Sequence, residues 1–157
     1  MAQGSTAQSE VSKPANDETA IRSAMASYND ALNRGSTDAA LALYAEDGVF
    51  MPPYSQSAVG KGAVRKAYDA VFAELKFDVK FTIAELVVMA PSWAYVRTNS
   101  AGVTGHASTG RTTAEANQEL FIFRKREDGG WRIAHHQAGQ LVARRPTGQR
   151  PPRGRLN

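Results

Sequence analysis

The chain has 157 residues, of which 42% are hydrophobic, and it contains no cysteine. This length suits one globular domain with a real core and is too short for two ordinary domains. The absence of cysteine excludes disulfides, thiolate metal sites and cysteine nucleophiles. No apolar run approaches the roughly 20 residues that cross a bilayer, and the first residues lack the pattern of a secretory signal. We therefore expect a soluble, cytoplasmic protein that does not contact membranes.

The formal net charge of +4 is concentrated at the C-terminus. Residues 144–157 hold five arginines and no acid, so removing these arginines leaves the rest of the chain at −1. This segment has too little apolar surface to offset the entropy of ordering. We expect a disordered flank over 1–16, one domain over 17–142 and a basic disordered tail over 143–157. Nucleic acid is expected to meet only the tail, through nonspecific charge attraction.

The first half of the chain has helical periodicity. Between positions 17 and 34 apolar residues recur at spacings of three and four, with Ile21 and Tyr28 on the same face. This stripe predicts a first helix over 17–34 that Gly35 can end.

Two further helices and a broken strand follow. A short helix fits 38–45, with Tyr44 buried, and a third helix fits 62–74. Between them, "GVFMPPYSQSAVG" predicts a short strand interrupted by Pro52 and Pro53, because proline cannot donate to a strand ladder.

After the third helix the hydrophobic period changes from 3.6 to 2, beginning with the alternation of Phe77, Val79 and Phe81. The sequence "EDGG" is a strong hairpin turn signal. Helices followed by consecutive strands predict an α+β fold, with three helices packed on one antiparallel sheet formed mainly by residues 76–142. The strands fit 77–84, 93–101, 112–126 and 130–142.

The adjacent pair His135 and His136 lies in "DGGWRIAHHQAG". On a regular strand Trp131, Ile133, His135 and Gln137 share one face and His136 lies on the other, so both histidines cannot enter one pocket unless a bulge intervenes. The third histidine, His106, lies in a glycine-rich segment, and no zinc-site spacing occurs. We expect one pocket-lining histidine and no metal or other cofactor.

Three stretches, "ALNRGSTDAALALYAEDGVFMPP", "VGKGAVRKAY" and "GGWRIAHHQ", together resemble the nuclear transport factor 2-like superfamily. The resemblance covers about residues 17–142 and is closest to the SnoaL-like branch and the association-domain-like proteins of SgcJ/EcaC type. It implies a cone-shaped, barrel-like fold in which a strongly curved sheet wraps around the helices and leaves a pocket at its open end. It also implies a range of functions, from isomerases, cyclases and dehydratases to non-catalytic association modules.

Ketosteroid isomerases of this superfamily hold an oxyanion with a first-helix tyrosine and a protonated acid, and they use a carboxylate base. The resemblance places the tyrosine at Tyr28, in "SYNDALNRG", and the acid at Glu119, in "ANQELFIF". The base position falls on Pro52, which cannot accept a proton. The resemblance therefore implies recognition of a carbonyl or carboxylate group without a route for proton removal.

Each of these candidates has a structural alternative. Tyr28 could be a core tyrosine with any acceptor for its hydroxyl, and Glu119 an exposed charge on a dimer face. His136 could be a general base near neutral pH or a histidine satisfied in the core. Phe50, Tyr54, Tyr68 and Gln118 complete the predicted ligand-binding set.

Two functions remain open at this point. One is a small-molecule-binding pocket protein, including a cofactor-independent isomerase, cyclase or dehydratase-like enzyme acting on an apolar carbonyl compound. The other is a non-catalytic dimerising module with a vestigial pocket. A homodimer through the outer sheet face is expected in both, because residues 120–123 are large and apolar on both strand faces.

Overall fold

The computed structural model describes residues 14–140. The predicted basic tail and most of the predicted N-terminal flank lie outside the described residues. No described helix is both long and apolar enough to cross a membrane.

The helices and strands are α1 Pro14–Arg34, α2 Thr37–Leu41, β1 Tyr44–Met51, β2 Ala58–Val59, α3 Lys61–Glu74, β3 Leu75–Ala90, β4 Trp93–His106, β5 Thr112–Lys125 and β6 Trp131–Gln140.

Helix α1 ends where the sequence predicts and begins slightly earlier. Gly35 follows its last residue with φ of 63°, a conformation that favours glycine. The Gly35 and Ser36 amides donate to the Leu32 and Ala31 carbonyls at 3.1 and 3.0 Å, which closes the helix as a Schellman motif. The predicted apolar stripe is buried: Ile21, Met25, Tyr28 and Ala31 all belong to the core.

Helix α2 is shorter than predicted. It spans 37–41, with the Ser36 hydroxyl accepting from the Ala39 amide at 3.2 Å, and does not continue to 45. Leu43 accepts a backbone hydrogen bond from Ile133 of β6 instead. The chain leaves the helix because sheet pairing satisfies its backbone better than one further helical turn, and Tyr44 becomes the first residue of β1.

The α+β prediction is confirmed, with one difference in strand direction. The six strands form one curved sheet in the order β2-β1-β6-β5-β4-β3. All pairings are antiparallel except β1 with β6, which is parallel. The "EDGG" turn joins β5 to β6 as predicted, and β6 then inserts between β5 and β1. The last strand within residues 14–140 therefore lies in the middle of the sheet, beside the helices.

Two asparagines of α1 bind part of the free edge of the sheet. Strand β3 lies at the end of the strand order and has one backbone edge without a neighbouring strand. The Asn33 side chain donates to the Val79 carbonyl at 2.8 Å and accepts from the Val79 amide at 3.0 Å. Asn29 donates to the same carbonyl at 2.9 Å and accepts from the Phe81 amide at 3.0 Å. The two asparagine side chains, one helical turn apart, form hydrogen bonds that a partner strand would otherwise form. They hold α1 against β3.

We expect Asn33→Ala to lower the free energy of unfolding by about 1–3 kcal/mol, because it removes two hydrogen bonds and leaves the Val79 amide without its acceptor. The matched control is Asn99→Ala, since Asn99 is exposed on β4. Urea unfolding of both variants measures the difference. Equal stability of the two variants would contradict the role assigned to Asn33.

Candidate active site

A cavity of about 330 Å³ lies inside the cone, between the sheet and helices α1 and α3. This volume is near the lower end of the range of about 300–1,000 Å³ that is usual for small-molecule sites. Pro53 and Tyr54 lie at the rim, and Tyr54 is 91% exposed, so the cavity opens to the surface there. Much of its wall is apolar, formed by Leu32, Phe50, Val71, Leu75, Phe77, Val79, Phe81 and Ala138.

A bulge in β6 determines which histidine of the adjacent pair His135 and His136 faces this cavity. The pairing with β5 passes from Phe123 opposite Ile133 to Ile122 opposite His135 and skips Ala134. The extra residue reverses the alternation of faces, so Ile133 and His136 are both buried while His135 is exposed. The strand is therefore not the regular one on which Ile133 and His135 would share a face, and the bulge does not bring both histidines of the pair into the cavity. Of this adjacent pair only His136 lines the cavity, but His106 at the end of β4 lines it as well, so the expectation of one pocket-lining histidine is wrong.

Three linked tyrosine hydroxyls lie beside His136, and two of them contact its Nδ1 atom. The Tyr68 hydroxyl lies 2.8 Å from those of both Tyr28 and Tyr44. The His136 Nδ1 atom lies 3.2 Å from the Tyr44 hydroxyl and 3.4 Å from the Tyr28 hydroxyl. All four side chains are at most 2% exposed. We call this closed set the tyrosine–histidine ring.

The protons available in the tyrosine–histidine ring limit its hydrogen bonds. Each hydroxyl has one proton, so three hydroxyls supply three hydrogen bonds for four contacts. The three shortest contacts are satisfied when Tyr28 donates to Tyr68, Tyr68 to Tyr44 and Tyr44 to Nδ1. In this arrangement the neutral imidazole has its proton on Nε2.

The imidazole of His136 is held between aromatic rings and kept neutral. It stacks on Phe121 with 4.0 Å between ring centroids and an interplanar angle of 7°, and on Phe50 at 5.2 Å and 18°. Burial lowers the pKa of His136 from 6.5 to about 3, because the apolar surroundings disfavour the imidazolium ion. Among the described residues no polar atom lies within hydrogen-bond distance of Nε2. Nε2 is itself buried, so His136 has one polar atom without a partner beside the cavity wall.

Glu119 supplies a buried carboxyl group in the same wall. It is 5% exposed and accepts hydrogen bonds from the hydroxyls of Thr98 and Ser100, both at 2.5 Å. Desolvation raises the pKa of Glu119, and the two hydroxyls oppose this shift. Burial also raises the pKa of the Tyr28 hydroxyl, and the nearby charge of Glu119 adds to that rise. Both effects favour the protonated forms of the two side chains.

The predicted site residues are divided between cavity and surface. Six of them line the cavity: Tyr28, Phe50, Tyr54, Tyr68, Glu119 and His136. The prediction for Gln118 is wrong, because it is exposed on the opposite face of β5 from Glu119. Pro52, at the position of the missing base, does line the cavity.

Sequence reasoning missed the partners that complete the site. Tyr44 was assigned to a helix, and the hydroxyl pair Thr98 and Ser100 was not singled out. The pair could have been found from the cross-strand register, since polar residues two apart on one face of a buried strand need a polar partner. No three His, Asp or Glu side chains within residues 14–140 are grouped so that they could hold a metal ion.

We expect the buried imidazole to make stability depend on pH. Unfolded His136 takes up a proton near pH 6.5, whereas folded His136 takes one up near pH 3, so the unfolded state binds more protons between these values. The free energy of unfolding should therefore decrease as the pH is lowered from 6.5 to 3, by up to about 1.4 kcal/mol per pH unit. Urea unfolding at several pH values should show a shallower dependence for His136→Phe. His135→Phe, at the exposed neighbour, should keep the wild-type slope, and equal slopes in all three proteins would contradict the assignment.

Comparison with known structures supports the fold. A ketosteroid isomerase-like protein from Erwinia carotovora atroseptica is 35% identical, with a TM-score of 0.77 over 80% of this chain and 96% of that one. A domain with a cystatin-like fold from Nostoc punctiforme is 17% identical, with a TM-score of 0.66 over 81% and 78% of the two chains. A hexachlorocyclohexane dehydrochlorinase is 9% identical, with a TM-score of 0.72 over 80% and 86%. The last two likenesses concern the fold alone.

None of the curated proteins matches the chain in sequence. The model of the SnoaL-like domain family matches residues 25–136, which include Tyr28, Tyr44, Tyr68, Glu119 and His136. The chain therefore belongs to the SnoaL-like family of the nuclear transport factor 2-like superfamily.

Proposed function

We propose that this protein binds a small, apolar carbonyl compound in the cavity of the cone. The observation that carries the proposal is the placement of Tyr28, Glu119 and His136 in the wall of one largely apolar cavity that opens to the surface. A few convergent polar groups in an apolar pocket are the usual composition of a small-molecule site. A vestigial pocket in an association module would have no need for buried groups without a partner, such as Nε2 of His136.

The polar groups suit a carbonyl oxygen better than a cation. The Tyr28 hydroxyl and the Glu119 carboxyl have raised pKa values, so both favour forms that retain a proton to donate. Donors in a site that excludes water stabilise an oxygen on which negative charge develops. The apolar wall would hold the hydrocarbon part of the ligand.

We further propose that the protein is a cofactor-independent enzyme of isomerase, cyclase or dehydratase type. These reactions share one requirement, which is the movement of a proton near a carbonyl group. The similarity to a ketosteroid isomerase-like protein that is 35% identical to this chain supports acid–base chemistry in the cavity.

We expect Tyr28→Phe to weaken binding of a ligand identified in a thermal-shift screen of small ketones and acids. The loss should be at least about fivefold, since one hydrogen bond is worth about 1 kcal/mol. The free energy of unfolding should change by no more than about 1.5 kcal/mol, because the ring itself is retained. Tyr95→Phe is the matched control, since its hydroxyl binds Glu85 outside the cavity. Unchanged affinity in Tyr28→Phe would contradict the proposed donor.

The outer face of the sheet supports a second proposal, a homodimer. Leu120 and Val103 are 39% and 42% exposed on strands β5 and β4, and the neighbouring Ile122 is only partly buried. These side chains lie on the face opposite the cavity, so a second copy could cover them without closing the site. Apolar side chains on an open sheet face are stabilised when another surface covers them.

Light scattering at micromolar concentration should give the mass of a dimer. Leu120→Arg should produce a monomer, because it places a charge where the two copies would meet. Val59→Arg, at an exposed position on β2, should leave the dimer intact. A monomeric wild-type protein would overturn this proposal and leave the proposed binding site unaffected.

A further inference from the structure

A row of polar side chains extends along the cavity face of β5, from the buried acid Glu119 toward the surface. Asn117 and Glu115 precede Glu119 at intervals of two residues, so the three side chains share one face of the strand, and all three line the cavity. Glu119 is buried, Asn117 and Glu115 are half-buried, and Thr113, the next residue of the row, is exposed. The row therefore connects the inner end of the cavity to its outer end.

The outer members of the row are far enough from Glu119 to meet a different part of a ligand. An antiparallel strand rises about 3.4 Å per residue, so Asn117 lies about 7 Å and Glu115 about 14 Å from Glu119 along β5. A ligand whose carbonyl group lies at the inner end has its opposite end beside Asn117 and Glu115. The cavity thus has two separate polar regions.

Hydrogen bonds between β4 and β5 hold the outer region in place. The Thr113 hydroxyl donates to Oε1 of Glu115 at 3.3 Å and lies 2.8 Å from Nε2 of His106, which lines the cavity as well. The Asn117 amide donates to the Ser100 hydroxyl at 3.4 Å. The bonds at 3.3 and 3.4 Å are longer than the usual range of about 2.5–3.2 Å, and a carboxylate has about four acceptor sites. Glu115 therefore has the capacity to accept a further hydrogen bond from a ligand.

The fold places no side chain of β4 directly opposite Glu115. The strand register pairs Glu115 with Gly102. A Cβ atom at Gly102 would lie 2.1 Å from the carbonyl oxygen of Asp78 and 2.7 Å from the Cα atom of Val79, and no real side chain tolerates such distances from a backbone. The close approach of β3 and β4 thus requires glycine at this position. As a consequence, β4 cannot supply a residue that covers Glu115 from directly across the ladder.

The charge of the cavity wall disfavours anionic groups. Among the described residues that line the cavity, Glu115 and Glu119 are acidic and none is a lysine or an arginine. An anionic group at the outer end would lie beside the Glu115 carboxylate without a counter-charge, whereas a hydroxyl group would donate a hydrogen bond to it. A hydroxyl group also suits Asn117, because an amide side chain both donates and accepts.

We propose that Glu115 and Asn117 form an outer subsite that binds a hydroxyl group at the end of the ligand opposite its carbonyl group. This inference rests on the proposed function, because it requires a carbonyl compound in the cavity. It narrows the ligand class to carbonyl compounds with a distant hydroxyl group and selects against those with a carboxylate there. Glu115 is the acceptor that determines this specificity, and Asn117 is the second partner of the hydroxyl group.

The test compares three ketones that share the same two rings: 2-tetralone, 6-hydroxy-2-tetralone and 2-tetralone-6-carboxylate. The substituent at position 6 lies at the far end of the rings from the carbonyl group. Isothermal titration calorimetry at neutral pH measures the dissociation constant of each ketone for the full-length wild type, Glu115→Gln and Asn117→Leu. Glu115→Gln retains the shape of the side chain and removes its charge. Glu85→Gln is the matched control, because Glu85 also accepts from a hydroxyl on a neighbouring strand but lies outside the cavity.

We expect wild type to bind the hydroxy ketone about tenfold more tightly than 2-tetralone, the effect of one hydrogen bond to a charged group. The carboxylate ketone should bind about fivefold more weakly than 2-tetralone, as for like charges at a partly exposed site. Glu115→Gln should reduce both differences, and Asn117→Leu should reduce only the preference for the hydroxyl group. Glu85→Gln should match wild type, and 2-tetralone itself should bind every one of these proteins within a few-fold of wild type. Tyr28→Phe should weaken all three ketones by the same factor, since the carbonyl group occupies the inner end in each.

Three results would overturn the proposal. If 2-tetralone binds and the hydroxyl group brings no gain in affinity, the outer subsite is wrong and the binding function stands. If wild type prefers the hydroxy ketone and both Glu115→Gln and Asn117→Leu retain the full preference, the hydroxyl group is bound by other residues. If none of the three ketones binds at saturating concentration, the proposed carbonyl site and the subsite that rests on it fail together.

Discussion

Four polar atoms buried in an apolar cone must satisfy one another, and this requirement links the elements that build the site. A buried donor or acceptor without a partner costs about 1–3 kcal/mol. The hydroxyls of Tyr28, Tyr44 and Tyr68 come from α1, β1 and α3, and His136 comes from β6. A shift of one element would change two contacts at once, because each of the four side chains has two partners in the ring. The ring therefore determines how the helices sit against the sheet as well as what the cavity wall presents.

The bulge at Ala134 is the local feature on which this arrangement depends. Without the extra residue, the strand that buries Trp131 and Ile133 would direct His135 inward and His136 outward. The parallel pairing with β1 also changes register, between Tyr44 and Val49. Both irregularities lie next to residues of the site. They orient the side chains of His136 and Tyr44 so that the two are in contact.

The sequence predicts most of the fold because most of it follows local periodicity. The stripe of α1, the stop at Gly35 and the hairpin at "EDGG" depend on residues close in the chain, and all three are confirmed. The change from helix to strand before Tyr44 depends on pairing with Ile133, about 90 positions away, and the bulge at Ala134 is a shift in register against β5 that the turn signal does not mark. No local pattern contains that information. Tyr28, Glu119 and His136 were therefore identifiable one by one, whereas Tyr44 and the connections among the four ring members were not.

The distribution of charge separates the cavity from the rest of the molecule. Asp17 binds Lys125 at 2.9 Å and the Trp131 indole at 3.1 Å, and these residues are not part of the cavity wall. In the cavity wall, by contrast, the pKa of the Glu119 carboxyl group is raised and the pKa of the His136 imidazole is lowered. Both shifts have the same cause, since burial penalises whichever form is charged. Low polarity thus raises the pKa of the Glu119 carboxyl group and keeps the His136 imidazole neutral in the same wall.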